Sequence, residues 1–151
     1  MKFLVSLAAI ASVALAQNAG IGYPAEGQKL GAGSDTVVQI QRPNSLTGST
    51  ELSVAIGISS CASSPCMAPT DTMGTILYHG DFKPVYHESS APPYENFTVT
   101  IPSSIKGGKA QINIAHFALV GVSIDSFLYQ CTTQTGLTLI SRRAITPTLT
   151  L

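Results

Sequence analysis

The chain is 151 residues long, with eight basic and eight acidic side chains in balance and only 11% of residues charged. So sparse and neutral a charge excludes a nucleic-acid backbone or a polybasic membrane contact as partner, because both demand a basic footprint. Its 44% hydrophobic content is enough for one globular domain with a real core.

The N-terminus reads as an address. Lys2 supplies a positive start, Phe3 to Leu15 is apolar except for Ser6 and Ser12, and Ala14-Leu15-Ala16 is a small-x-small cleavage signal. This pattern predicts a helical secretory signal peptide over residues 1–16, cut before Gln17. The run is shorter than the ~20 apolar residues of a membrane span. The expectation is a secreted, extracellular protein without a membrane anchor.

From Gln17 onward the signals are those of strands. Gly20 to Pro24 is a short extended piece, and Pro24 suits an edge strand or the start of a turn. Val38 and Ile40 share a face within Asp35 to Gln41, and Arg42-Pro43-Asn44 ends that strand. The turn at Leu46 to Ser49 predicts a hairpin, or a close neighbour pair, with the strand from Thr50. There Leu52, Val54, Ile56 and Ile58 alternate with small residues, so all four are expected to face the core. This is the predicted central strand. Gly74 to His79 and Glu95 to Ile101 follow, the latter alternating cleanly through Phe97, Val99 and Ile101. Asp81 to Glu95 between them holds Pro84, Pro92 and Pro93 and is the exposed segment best suited to binding. Lys109 to Gly121 changes phase: either both faces are apolar, or a bulge near Ala115-His116 resets its facing.

No stretch after Ala16 has helical periodicity over ten or more residues. Short alternating strands separated by Gly/Pro/Ser turns predict an all-β fold, an antiparallel β-sandwich of immunoglobulin-like size. The sandwich is assigned to residues 17–122. Residues 123–151 are set apart as a divergent segment that packs poorly. Leu137 and Leu139 are the alternative, a closing strand with only the extreme end frayed.

Cys61 and Cys66 are close enough to pair across one turn in an oxidising compartment, with two free thiols as the competing reading. Cys131 is left odd. Asn96-Phe97-Thr98 is a glycosylation sequon, and Asn96 shares parity with Thr98 and Thr100, away from the core side. His79, His87 and His116 are scattered, so no metal or other cofactor is expected. His116 is expected to be a core or bulge histidine satisfied by backbone. A copper oxygenase of this architecture needs a mature N-terminal histidine, where Gln17 stands. No Gly-x-Ser-x-Gly elbow is present. Tyr78, Tyr86 and Tyr94 are the one plausible set of sugar-stacking rings.

Several runs carry a family likeness. They are Gly33-Ser34, Arg42 to Ser49, Ile56-Gly57, Ser60-Cys61 with Cys66, Pro69-Thr70-Asp71 and Met73 to Tyr78. To these add Asn96 to Pro102 and Ala115 to Gly121. Together they resemble the fungal necrosis-inducing secreted effector family (Nis-type), over about Ile21 to Gly121. The resemblance implies a non-enzymatic effector that blunts pattern-triggered immunity by engaging plant receptor-associated kinases, some members provoking cell death. It implies no catalytic residues. The expected partner is thus a host receptor-like kinase, and the protein is expected to be a monomer. The alternative is a secreted cell-wall carbohydrate-binding module that binds polysaccharide without catalytic activity.

Overall fold

The computed structural model describes residues 19–44, 48–120 and 127–140; the expected signal peptide lies outside them. They form eight strands: β1 Gly20–Tyr23, β2 Lys29–Gly31, β3 Asp35–Gln41, β4 Ser49–Ser60, β5 Thr75–Asp81, β6 Tyr94–Thr100, β7 Gly108–Val120 and β8 Phe127–Ile140. No helix occurs among the described residues. Two sheets result, in the orders β1-β3-β6 and β2-β8-β7-β4-β5. Every pairing is antiparallel except β2 with β8, which is parallel. The fold is all-β and sandwich-like.

Period-two alternation builds the core between the sheets. Val38, Ile40, Phe97 and Val99 come from the small sheet; Val54, Ile56, Ile58, Ile112, Ile114, Leu137 and Leu139 come from the large one. Phe82 and Ile101 join it from the connecting segments.

Leu52 departs from the expected pattern. Val54, Ile56 and Ile58 are at most 1% exposed, whereas Leu52 is 40% exposed. Glu51 lies opposite Ala118 and Ser53 opposite Phe117, so Leu52 is the extra residue of a β-bulge. A bulge shifts side-chain phase by one, and it swings Glu51 onto the core side in place of Leu52.

The predicted hairpin of β3 with β4 does not form, since the two strands lie in different sheets. β3 ends in the small sheet at Gln41 and β4 begins in the large one at Ser49, and Arg42 N–H donates to Pro93 O at 2.9 Å just past β3. β7 resolves its two readings in favour of burial on both faces. Ala110 to His116 are all buried. Its irregularity falls at Ala110/Ile112 against β8 and not at Ala115-His116. The stretch Phe127–Ile140 was expected to pack poorly. It forms β8 instead, paired with β7 from Gly108↔Leu139 to Leu119↔Phe127, with Leu137 and Leu139 in the core. Cys131 sits opposite Ala115 in that ladder, and its side chain lies outside the described residues.

Candidate functional site

The connection from β4 to β5 is too long for a tight hairpin, and it lies back on the outer face of β4 and β7. Cys61 and Cys66 are joined by a disulfide across it, with their Cα atoms 5.0 Å apart. Two buried amides on β7 hold the rest. Gln111 Nε2 donates to Met67 O at 2.6 Å. Asn113 Nδ2 lies 3.3 Å from Thr72 O, Met73 O and Ser59 Oγ. A buried amide is costly unless paired, so these contacts fix where the loop can sit. Close approach completes the fit: Gly57 faces the Met73 carbonyl so tightly that a Cβ would collide with it. Gly74, at φ 72°, occupies the left-handed region suited to glycine.

The stapled loop frames a cleft of about 380 Å³ lined by Ser59, Ser60, Ser64, Thr72 and Thr75 with Cys66, Met67 and Ile105. The lining is hydroxyl-rich with an apolar floor, and no charged side chain contributes. Met67 is well exposed beside it. A concave, pre-formed site of this size suits recognition of an uncharged ligand or a loop of a partner.

A second exposed element is the proline-rich segment between β5 and β6. Val85 and Tyr94 exchange backbone hydrogen bonds at 3.2 and 3.0 Å, closing it at its base. Tyr86 is 60% exposed, and its hydroxyl donates to Asn44 Oδ1 at 2.5 Å. The three tyrosines do not make a common platform. Tyr78 packs against Phe97 at 4.6 Å, and Tyr94 stacks on His87 at 4.2 Å. Burial and the Glu88 carboxylate push the Tyr94 hydroxyl above its ordinary pKa.

The bulge at Leu52 creates a polar cluster that periodicity did not foresee. His116 is a core histidine, edge-on to Phe82 at 5.4 Å, but the partner of its Nε2 is a carboxylate rather than backbone: that nitrogen pairs with Glu51 Oε2. Ser49 Oγ donates to Glu51 Oε1 at 2.6 Å, and Arg42 Nη1 donates to Ser49 Oγ at 3.2 Å. Burial raises the Glu51 pKa. The hydrogen bonds from His116 and Ser49, and the charges of His116 and Arg42, outweigh that and hold the carboxyl below its ordinary value. The Glu51–His116 pair is shielded from solvent, with side chains 8% and 1% exposed, and the partly exposed Arg42 closes its outer side. The cluster is therefore a structural tie that links Arg42 and Ser49 to β7.

His79, His87 and His116 lie on β5, in the proline-rich segment and on β7. Among the described residues no three His, Cys, Asp or Glu side chains gather at metal-binding distance. Asn96 lies exposed on the outer face of β6, as its parity predicts. Sequence reasoning missed Glu51, Gln111 and Asn113. The available signal for the last two was their alternation with Ala110, Ile112 and Ile114, polar residues in a strand with no face left for water.

No curated protein matches the chain. The model of the Nis1 family matches residues 14–135, a longer span than the motifs had suggested and one that takes in most of β8. The chain belongs to the Nis1 family.

Proposed function

We propose that the chain is a secreted, non-enzymatic interaction protein of fungal origin, of the necrosis-inducing effector type. Its residues 1–16 are removed as a signal peptide and its two sheets make an immunoglobulin-like sandwich. In this reading it engages a receptor-associated kinase of a plant host and dampens pattern-triggered immunity. The supporting observation is the stapled loop, covalently closed and pinned by Gln111 and Asn113 beside a neutral cleft. Pre-organising a surface in this way cuts the ordering cost of association. The test is a pull-down of purified mature protein against plant receptor kinase domains, with Ser64→Arg and Met67→Arg filling the cleft. Capture lost in both variants, with unchanged melting, is the expected result. Capture equal to the parent's would remove the loop from the interface, and absence of capture by every kinase domain would sink the reading. On an ester and polysaccharide panel no turnover is expected.

The second reading, a cell-wall carbohydrate-binding module, is favoured by the exposed ring of Tyr86 alone. Chitin or glucan retention abolished by Tyr86→Ala would promote it over the first.

A further inference from the structure

The outer face of β1-β3-β6 is built differently from that of the large sheet. The residues alternating outward on β6 are Tyr94, Asn96, Thr98 and Thr100; Asn96 pairs across to Gln39, Thr98 to Val37 and Thr100 to Asp35. Tyr23, on β1, pairs with Gln39 from the other side. Between them lies a hollow of about 260 Å³ lined by Tyr23, Asp35, Thr36, Val37 and Thr98. Tyr23 and Val37 are 40% and 38% exposed, an apolar patch in an otherwise polar face. The Tyr23 hydroxyl is held by Gln28 Nε2, which fixes the ring at the rim of the hollow. Thr98 belongs both to this hollow and to the Asn96-Phe97-Thr98 sequon, while Phe97 between them is buried.

We propose that the hollow is the seat of the chain's own glycan: Asn96 is N-glycosylated, and the innermost N-acetylglucosamine folds back onto Tyr23 and Val37. This rests on the reading of the protein as exported. The donor is a lipid-pyrophosphate-linked oligosaccharide of the secretory pathway. The Asn96 amide nitrogen forms a bond to the anomeric carbon and gives up a proton, the carbon–oxygen bond to pyrophosphate breaks, and the lipid pyrophosphate leaves; nothing is oxidised or reduced. The apolar face of the sugar ring then covers the Tyr23 ring, as aromatic faces accept such surfaces, while its hydroxyl and acetamido groups meet Asp35 and Thr98. The occupant is set by adjacency, since the acceptor stands two residue pairs along the strands from Val37–Thr98, in the next pair on the same face.

The test uses the full chain expressed in a glycosylating eukaryotic host, the secreted protein being trimmed by an endoglycosidase to a single N-acetylglucosamine. Peptide mass mapping is expected to find that sugar on Asn96. The trimmed protein is expected to melt roughly 2 to 5 °C above Asn96→Gln, a shift that follows from a stacking contact of ordinary strength. In a Tyr23→Ser or Val37→Ser background that gap closes. A nuclear Overhauser contact between the acetyl methyl and the Tyr23 ring reports the same packing without any substitution. Secreted protein with bare Asn96 overturns the site. A glycan whose stabilisation survives both substitutions, with no such contact, overturns the cradle. A chain retained inside the cell overturns the export reading and the site with it.

Discussion

The two outward faces of this sandwich are opposites. On the large sheet, β4 and β7 lie beneath a stapled loop, and Gln111 and Asn113 of β7 spend their amides holding it down. On the small sheet, β6 presents Asn96, Thr98 and Thr100 to water, and Gln39 of β3 lies half-buried beside them. A covered face needs buried polar groups with fixed partners, whereas an open one needs only residues content in solvent. The same strand chemistry thus does structural work on one side and leaves the other free for modification.

Substitutions on the two sides should differ in scale. Ile56→Ala, in the layer that both sheets share, sets the upper mark at roughly 2 to 4 kcal/mol by chemical denaturation. A loss below half a kcal/mol would mean that β4 does not face the core at Ile56. Asn113→Ala should cost about 1 to 3 kcal/mol, because it strips the loop carbonyls of their donor. Hydrogen exchange of residues 67–74 should accelerate in step; an unchanged loop would make the covered face no different from the open one.

Acid probes the tie behind the bulge. Glu51 has a lowered pKa in the folded state. Its contribution is therefore fully present above the unfolded carboxylate value, near 4.5, and is lost as pH falls through the lower folded one. The melting temperature of Glu51→Gln should fall less steeply below pH 4.5 than that of the parent. Parallel curves would show that the cluster carries no such linkage. At the small end, Gln39→Ala, half-buried on the outer face, and Leu52→Ala, exposed, should each stay within about half a kcal/mol, as surface positions do. A large loss at Gln39 would mean that the open face is covered after all.

Legibility followed the same division. β6 could be read directly because one of its faces is wet, so alternation survives in Phe97, Val99 and Ile101. β7 could not be assigned a single facing, because burial on both sides erases the contrast that alternation depends on. Leu52 misled for a different reason: Leu-Ser-Val-Ala-Ile alternates straight through the bulge, and an inserted residue leaves no mark on that pattern. Arg42-Pro43-Asn44 signals a turn equally well whether the chain reverses within a sheet or crosses to the other one. The polar stretch of β8 around Thr132 to Thr135 shows no apolar period, and what orders it is pairing along the whole of β7. Within the candidate site, the Cys61–Cys66 staple was readable from spacing. Its anchors were not, since Gln111 and Asn113 act across the sheet on residues far away in sequence.

The parallel pairing of β2 with β8 has a consequence for how the chain comes to its fold. Lys29, Leu30 and Gly31 find their partners at Thr138, Leu139 and Ile140, and Thr132 Oγ1 reaches the Ala19 carbonyl across 113 residues. Contacts of such long range give the domain a high contact order, which slows folding. During synthesis β7 has one open edge, and β2 has no sheet to join, until β8 has left the ribosome. The large sheet is thus completed by β2 and β8 together, and a nascent chain stopped before Phe127 carries an unpaired β7 edge able to pair with other chains.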